Sequence, residues 1–258
     1  MSNKESTQKT LIVALVLCVV CSVIVSTAAV MLKPAQVANK SKDFQINILK
    51  AGGLYEQGIA DGKSIKDMFE SVIIKVVDLD TGKYTDAVDA ISYDQRKAGK
   101  DPKLSDALSS KDDLAKISSR EKYAKIYLVQ EGDAIKKVIL PVKGYGLWST
   151  MYGFISLEND LNTVSGFAFY EHGETPGLGG EVDNPSWKAQ WAGKKVYGDN
   201  GSVDLSVVKG KAAAVTPYTI DGLSGATLTT RGIDNLVKFW MGTKGFAKFI
   251  TNLKQGEA

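Results

Sequence analysis

The segment KIYLVQEGDAIKKVILPV, Lys125–Val142, determines the expected fold. Two runs rich in apolar and β-branched residues, Lys125–Gln130 and Ala134–Val142, flank the turn sequence Glu-Gly-Asp at 131–133. Apolar runs of this length around a glycine-containing turn are typical of an antiparallel β-hairpin. We therefore expect a sheet built from hairpins, and the rest of the chain is read outward from this one.

Strands and helices are predicted on both sides of the hairpin. Residues 71–88 suggest a strand, a turn and a second strand, and residues 164–172 and 203–208 suggest two more. Apolar residues within 233–240 recur at i, i+3, i+4 and i+7, which indicates an amphipathic helix. The charged segment at about 94–122 is expected to be a surface insertion that carries a helix. Together these patterns predict an α+β fold of antiparallel hairpins with peripheral helices.

The stretch LIVALVLCVVCSVIVSTAAVML, Leu11–Leu32, contains no charged residue. As a helix it would span roughly 33 Å, enough to cross a bilayer. A cleavable signal peptide is the alternative, although its apolar region is usually only about 7–15 residues. We expect a cytoplasmic tail (1–10), a transmembrane helix (11–32), a polar linker (34–42) and a domain (33–258) on the periplasmic side of a bacterial inner membrane. Lysines on both sides of the helix leave the charge rule for orientation undecided.

Composition excludes several classes of function. The net charge of +3 over 258 residues does not indicate a nucleic-acid surface. Both cysteines, Cys18 and Cys21, lie in the apolar stretch, so the domain beyond it has no disulfide and no thiolate-bound metal. His172 is the only histidine, and no G-x-S-x-G motif surrounds a serine. A catalytic triad or a zinc site would need unusual substitutes for the missing residues.

Three stretches look suited to a flat ligand. GYGLWST (Gly144–Thr150) combines glycines with Trp148, which could stack on a ring, and EHGETPGLGGEV (Glu171–Val182) is a stiff loop with exposed backbone amides. A hairpin corner with a core tryptophan and an ordinary surface loop explain the same residues. In DGLSGATLTT (Asp221–Thr230), four small residues precede the predicted helix.

Thr227 stands where this helix should begin. The free N–H groups and the dipole of a helix N-terminus favour an anion, so a phosphate at Thr227 would be stabilised there. The alternative is that Thr229 or Thr230 caps the helix and Thr227 has no further role. The residues alone leave both interpretations open.

Ser224-Gly225-Ala226-Thr227, with Asp221 ahead of it, resembles the flavinylation motif of the covalent-FMN-binding domain family. This family occurs in the sodium-translocating NADH:quinone oxidoreductase and in the RNF complex. The GYGLW and ETPGLGG stretches and the N-terminal transmembrane helix also resemble it, and the similarity is greater to the sodium-translocating complex. The resemblance implies FMN joined to Thr227 by a phosphoester.

The resemblance also implies roles for neighbouring residues. Asp221 would be recognised by the flavin transferase that attaches the cofactor, and Lys211 is an alternative to Lys209 as the lysine near the flavin ring. No residue is expected to be catalytic or to bind a metal. The implied cofactor-binding residues are Ser224, Gly225, Ala226, Leu228, Glu174, Thr175, Leu178, Gly179, Trp148 and Lys209.

The function implied is an electron relay within a membrane complex that passes electrons from NADH to ubiquinone and exports sodium. The partners would be the other subunits and the flavin transferase, and the chain would not be catalytic alone. The equivalent FMN subunit of the RNF complex is one alternative. A cofactor-free, membrane-anchored binding domain is a second, and an exported hydrolase acting through His172 is a third.

Overall fold

An antiparallel sheet of six strands is the framework of the protein. The computed structural model describes residues 6–258. Its helices are α1 (Thr7–Ala51), α2 (Tyr55–Ala60), α3 (Ile65–Glu70), α4 (Gln95–Ala98), α5 (Pro185–Lys188), α6 (Thr227–Met241) and α7 (Ala247–Gln255), with a 3-10 helix at Gly179–Asp183. Its strands are β1 (Val72–Asp78), β2 (Lys83–Tyr84), β3 (Ser105–Ala107), β4 (Ser119–Glu121), β5 (Tyr123–Glu131), β6 (Ala134–Tyr145), β7 (Thr150–Glu158), β8 (Val164–Glu171), β9 (Ser206–Val207) and β10 (Thr219–Ile220).

The predicted hairpin lies at the centre of the sheet. The strand order is β2-β1-β5-β6-β7-β8, and every neighbouring pair is antiparallel. β5 and β6 pair with Tyr127 opposite Ile139, which confirms the hairpin. β3 with β4 and β9 with β10 form two small separate sheets. The α+β fold is therefore confirmed, with β7 added where the sequence pattern assigned no strand.

Both faces of the sheet are covered. On one face α6 buries an apolar stripe that includes Leu236 and Trp240, both fully inaccessible to solvent. The Trp240 indole N–H donates to the main-chain oxygen of Lys143 at 2.7 Å, which holds α6 against β6. At the other face, the last turns of α1 bury Ile48 and Leu49. This packing places the N-terminus of α6 beside the loops that leave β6 and β8.

Three local predictions differ from the structure. Residues 34–42, predicted as a linker, continue α1 through Pro34, because the alanines, glutamine and lysines that follow are good helix formers. The 94–122 segment contains only one helical turn, α4, and it buries Arg120 and Glu121 in ion pairs with Asp80 and Lys143. The strand expected at 203–208 is reduced to the two residues of β9.

The described chain divides into a unit that ends at Phe44 and a second unit, Gln45–Ala258. The first consists of α1 residues, and among the described residues it contains the one helix that is long and apolar enough to cross a membrane. The apolar side chains of this unit are exposed to solvent. The second unit contains the sheet and all the remaining helices.

The packing of α6 predicts the effect of a core truncation. Leu236→Ala should lower the free energy of unfolding by about 2–5 kcal/mol, because it removes a fully buried side chain and leaves a cavity. Leu228→Ala on the exposed side of the same helix is the matched control and should change it by less than about 0.5 kcal/mol. Urea titration of the full-length chain in detergent, followed by tryptophan fluorescence, measures both. Equal losses in the two variants would contradict this packing.

Candidate functional site

The DGLSGATLTT stretch forms a turn that leads into the longest helix of the second unit. Thr227 is the first residue of α6, and the residue before it, Ala226, provides no side-chain cap. Gly225 has φ +71°, a left-handed conformation that glycine adopts without strain. The first N–H groups of α6 therefore lack a cap from the N-cap residue, and such a helix start favours a negatively charged group.

Three threonines begin α6, and their hydroxyl groups have different surroundings. Thr229 is buried and donates to Glu174 Oε2 at 2.6 Å. Thr230 is buried and its Oγ1 accepts from the Leu223 N–H at 3.0 Å. The half-buried Thr227 hydroxyl makes no hydrogen bond to any part of residues 6–258. The alternative in which Thr229 or Thr230 caps the helix is wrong, since both lie inside it.

A buried carboxylate holds this helix start against two loops. Glu174 is only 5% exposed and receives the Thr229 hydroxyl bond. It also accepts hydrogen bonds from three successive main-chain N–H groups, those of Leu147, Trp148 and Ser149, at 3.1, 3.0 and 3.4 Å. One side chain thus joins the GYGLWST loop, the ETPGLGG loop and α6.

These donors also set the protonation state of Glu174. Burial alone would raise the pKa of its carboxyl group, but the hydrogen bonds from Thr229 and from the main-chain N–H groups of Trp148, Leu147 and Ser149 hold the pKa below its ordinary value. The side chain is therefore ionised at neutral pH. Its negative charge is balanced by N–H and O–H dipoles.

Two glycines make room for the carboxylate. A Cβ atom added at Gly146 would lie 2.5 Å from Glu174 Oε1. One added at Gly179 would lie 2.7 Å from both Glu174 Oε2 and Thr229 Oγ1. Any larger residue at either position would displace the carboxylate, so these glycines serve the packing of the site.

The ETPGLGG loop brings an apolar side chain to the turn before α6. The Leu178 N–H donates to the Thr175 oxygen, with Pro176 next and then Gly177 at φ +75°, the arrangement of a type II turn. This rigid turn directs Leu178 toward Gly225, whose added Cβ would lie 3.0 Å from Leu178 Cδ2. A side chain at position 225 would therefore crowd Leu178.

Large apolar side chains remain exposed on all three segments. Trp148 is 66% exposed, Leu178 46% and Leu228 53%. Such side chains, beside an uncapped helix start and the Thr227 hydroxyl, suit a ligand with a flat apolar body and a phosphate. The site could therefore accommodate a flat ligand that carries a phosphate.

Asp221, Lys209 and Lys211 precede the Ser224–Thr227 turn in sequence. The Asp221 carboxylate accepts from the Ala212 N–H at 2.8 Å. Lys209 and Lys211 are exposed on either side of Gly210, whose main-chain oxygen accepts from the Gly222 N–H at 2.7 Å. The loop that carries both lysines is thus attached to the segment that precedes Thr227.

His172 supports the ETPGLGG loop. Its Nδ1 accepts from the Glu174 N–H at 3.2 Å, which leaves the proton on Nε2 to be donated to Asp183 Oδ2 at 2.9 Å. Both ring nitrogens are therefore engaged, and the hydrolase interpretation loses its candidate base. Within residues 6–258 no cluster of histidine, cysteine and acidic residues could hold a metal ion.

Comparison with known proteins agrees with this geometry. Residues 146–242 match the model of the FMN-binding domain family. The chain is 53% identical to the C subunit of the Na(+)-translocating NADH-quinone reductase of Pseudomonas aeruginosa, over 100% of both chains. It is 48% identical to the protein of the same name from Vibrio anguillarum, over 99% of this chain and 98% of the relative. This chain belongs to the NqrC family, the C subunits of Na(+)-translocating NADH-quinone reductases.

Solved structures of NqrC proteins share the fold. The crystal structure of NqrC from Shewanella oneidensis matches with a TM-score of 0.77 and 35% identity, over 84% of this chain and 99% of that one. The corresponding protein from Parabacteroides distasonis matches with a TM-score of 0.64 and 27% identity, over 85% of this chain and 97% of that one. These matches also confirm the α+β fold predicted from the sequence patterns.

The cofactor-binding residues implied by the resemblance fall into two groups that differ in burial. Glu174, Gly179 and Ala226 are buried and serve the scaffold, with the Glu174 side chain turned inward. Thr227, at the start of the helix, is half-buried and so intermediate between the two groups in exposure. The residues that face solvent are Trp148, Thr175, Leu178, Ser224, Gly225, Leu228 and Lys209.

Sequence reasoning missed two residues of the site. Thr229 was considered only as a helix cap, and Gly146 was not singled out, although both contact the Glu174 carboxylate or the space it occupies. Thr229 is 55 positions from Glu174 in sequence, so no local pattern connects them. The one usable signal was the conjunction of an acidic residue with glycines in both loops.

Glu174→Gln should destabilise the fold markedly. The amide oxygen can keep the N–H donors that now bind Oε1, but the NH₂ group replaces Oε2, which accepts from the Thr229 hydroxyl and the Leu147 N–H. The charge that strengthens all these bonds is also lost. We expect the free energy of unfolding to fall by about 1.5–3 kcal/mol, the range for hydrogen bonds to a charged group. Urea titration measures it, with the exposed Glu131→Gln as matched control. A loss no larger than that of the control would show that the carboxylate is not the organising contact.

Glu174 should also contribute a defined pH dependence. Because the pKa of Glu174 is lowered in the folded chain, its contribution is complete above the ordinary glutamate pKa of 4.5 and is lost as the pH falls through the lowered value. The gap in unfolding free energy between wild type and Glu174→Gln should therefore be constant above about pH 5.5 and narrow below pH 4.5. Urea titrations at about pH 7, 5.5, 4.5 and 3.5 on both proteins test this expectation. A gap that widens on acidification would reverse the sign and reject it.

Proposed function

We propose that this chain carries FMN covalently on Thr227 and relays electrons within a sodium-translocating NADH:quinone reductase. The observation that carries the proposal is the Thr227 hydroxyl at the uncapped start of α6, which is not engaged by any group within residues 6–258. Thr229 and Thr230, its two neighbours in the first turn of α6, both use their hydroxyl groups internally. The match to the FMN-binding domain family covers this segment and both loops around it.

Attachment is a transfer of the flavin-bearing phosphoryl group from FAD. The Thr227 oxygen attacks the phosphorus on the flavin side, the Oγ–P bond forms, and the P–O–P bond to the adenylate breaks. AMP leaves and the hydroxyl proton passes to a base of the flavin transferase. The small residues Ser224, Gly225 and Ala226 before Thr227 leave this hydroxyl open to the transferase.

The chain's own residues suit the attached product. The phosphodiester retains one negative charge, which the free N–H groups at the start of α6 would stabilise by about 0.3–1 kcal/mol at an exposed site. Trp148, Leu178 and Leu228 offer apolar surface for the ring. We assign to Lys209, or to Lys211 across the same turn, the role of offsetting negative charge on reduced flavin. The flavin supplies the electron-transfer chemistry.

The remaining steps of the reaction belong to other subunits. Relatives that match this chain over nearly its whole length are named as the C subunit of a Na(+)-translocating NADH-quinone reductase, which favours that complex over the RNF alternative. We place the sites for NADH, ubiquinone and sodium on those partners. This chain would accept electrons from one partner and pass them to another.

The apolar part of α1 provides the membrane anchor. Its length and composition suffice to cross a bilayer. We assign residues 33–258 to the periplasmic side of the inner membrane. Covalent attachment then keeps the cofactor from being lost by diffusion outside the cell.

The attachment site is tested by flavin content after expression with a flavin transferase. Thr227→Ser should still become modified because it keeps the hydroxyl, whereas Thr227→Val should not, because it keeps only the shape. Thr243→Val removes an exposed threonine hydroxyl outside the Ser224–Thr227 motif and should leave flavin content unchanged. Fluorescence of the denatured band under ultraviolet light measures all three.

Two results would reject this assignment. Equal flavin in Thr227→Ser and Thr227→Val would show that the hydroxyl is not the acceptor. No fluorescent band in wild type, with the transferase active on a control substrate, would leave the cofactor-free binding domain as the better interpretation.

A further inference from the structure

Asp221 is held by three hydrogen bonds to three separate parts of the chain. Its N–H donates to Gln190 Oε1 at 3.0 Å, and its main-chain oxygen accepts from the Trp187 indole N–H at 2.8 Å. Its carboxylate Oδ1 accepts from the Ala212 N–H at 2.8 Å. The first two contacts fix the main chain in place. The third uses the side chain, and it reaches the loop that carries Lys209 and Lys211.

The residue after Asp221 adds a second connection to that loop. The Gly222 N–H donates to the Gly210 oxygen at 2.7 Å. A Cβ added at Gly222 would lie 2.2 Å from the Val208 oxygen and 2.9 Å from Thr230 Cγ2. The main chain at 222 is therefore confined between the lysine loop and the first turn of α6. A shift of this loop would be transmitted to the turn that ends at Thr227.

From these contacts we infer that Asp221 is a positioning residue for flavin attachment. Its carboxylate holds the 209–215 loop against the segment that leads into the Ser224–Thr227 turn. The inference rests on the proposed function. It differs from the role expected by resemblance, in which the transferase reads Asp221 directly. In this role the side chain acts as the oxygen that accepts the Ala212 N–H bond. Its negative charge strengthens that bond but is not itself recognised by the transferase.

The loop held by this contact has an unusual surface. Val215 is 94% exposed, the alanines at 213 and 214 beside it are exposed, and Lys209 and Lys211 flank its base. An exposed apolar stretch that follows two lysines in sequence is suited to contact with the incoming flavin transferase. Loss of the Ala212 bond would loosen residues 211–215, while the Gly222–Gly210 bond would still hold the base of the loop. The Thr227 hydroxyl would then be presented less often in the reactive arrangement.

Asparagine separates the two roles of Asp221. Its amide oxygen can accept the Ala212 N–H, but it carries no charge. If Asp221 acts by holding the loop, Asp221→Asn should retain most of the rate of covalent flavin incorporation and Asp221→Ala should lose it. If the transferase reads the charge, both variants should fail alike. Asp199→Asn removes an exposed acidic charge from another loop and is the matched control.

The experiment uses the full-length chain in detergent, a flavin transferase and FAD, and it measures the initial rate of covalent flavin incorporation against chain concentration. We expect Asp221→Asn to lie within about threefold of wild type, and Asp221→Ala to fall by about tenfold, as loss of a hydrogen bond to a charged acceptor implies. Hydrogen exchange of the Ala212 amide, on the unmodified chain, should show protection in wild type and Asp221→Asn and its loss in Asp221→Ala.

The possible failures are distinguishable. Flavin on wild type with Asp221→Asn as slow as Asp221→Ala, while the Ala212 amide of Asp221→Asn stays protected, overturns the positioning role and leaves the proposed function intact. Unprotected Ala212 in wild type overturns the structural premise. A wild-type chain that takes up no flavin, with the transferase active on a control, overturns the proposed function and this inference with it.

Discussion

The bond network around the Glu174 carboxylate is the constraint on which the candidate site depends. An ionised side chain that is almost wholly buried would be costly unless each of its oxygens were satisfied. Here three main-chain N–H groups from one loop and a hydroxyl from α6 provide that satisfaction. In return, the carboxylate fixes three segments that are far apart in sequence. Gly146 and Gly179 follow from it, because a side chain at either position would occupy the same space.

The division of labour among the α6 threonines follows from that arrangement. Successive residues of an α-helix point about 100° apart, so Thr227 and Thr229 face nearly opposite directions. Once Thr229 is turned inward to Glu174, Thr227 is turned toward solvent. The packing of the helix thus leaves Thr227 as the threonine of this turn whose hydroxyl is available for the proposed modification.

Much of this fold could be predicted from local sequence patterns, and the reasons for the failures are physical. The Lys125–Val142 hairpin and the helix over 233–240 have strong periodicity within short windows, and both were confirmed. β7 was not assigned because glycines and aromatics interrupt its alternation, yet pairing with β6 over nine residue pairs stabilises it. At Pro34 the surrounding helix formers outweighed the local break that proline usually causes.

The candidate site was predictable in part only. Small residues before a helix indicated a place for an anion, but they did not distinguish a cofactor from a cap, and the resemblance to a known family supplied that step. The inward role of Glu174 and the engagement of Thr229 could not be predicted, since they depend on contacts between residues 55 positions apart. The same holds for the bond between Asp221 and Ala212, which closes a loop with no periodic signal.

The proposed attachment of FMN to the first residue of α6 has a consequence for electron tunnelling. Trp240 and Leu236 hold the helix against the sheet, and the Thr229–Glu174 bond holds its first turn against the loop after β8. The first turn is therefore as rigid as the core around it. A group esterified there can swing about the few bonds of its own linkage while its anchor point stays still. Tunnelling rates fall steeply with distance. A stationary anchor would therefore narrow the spread of rates at which the proposed FMN exchanges electrons with its partners. The core of this domain would therefore both support the proposed FMN and limit the variation in its distance from electron-transfer partners.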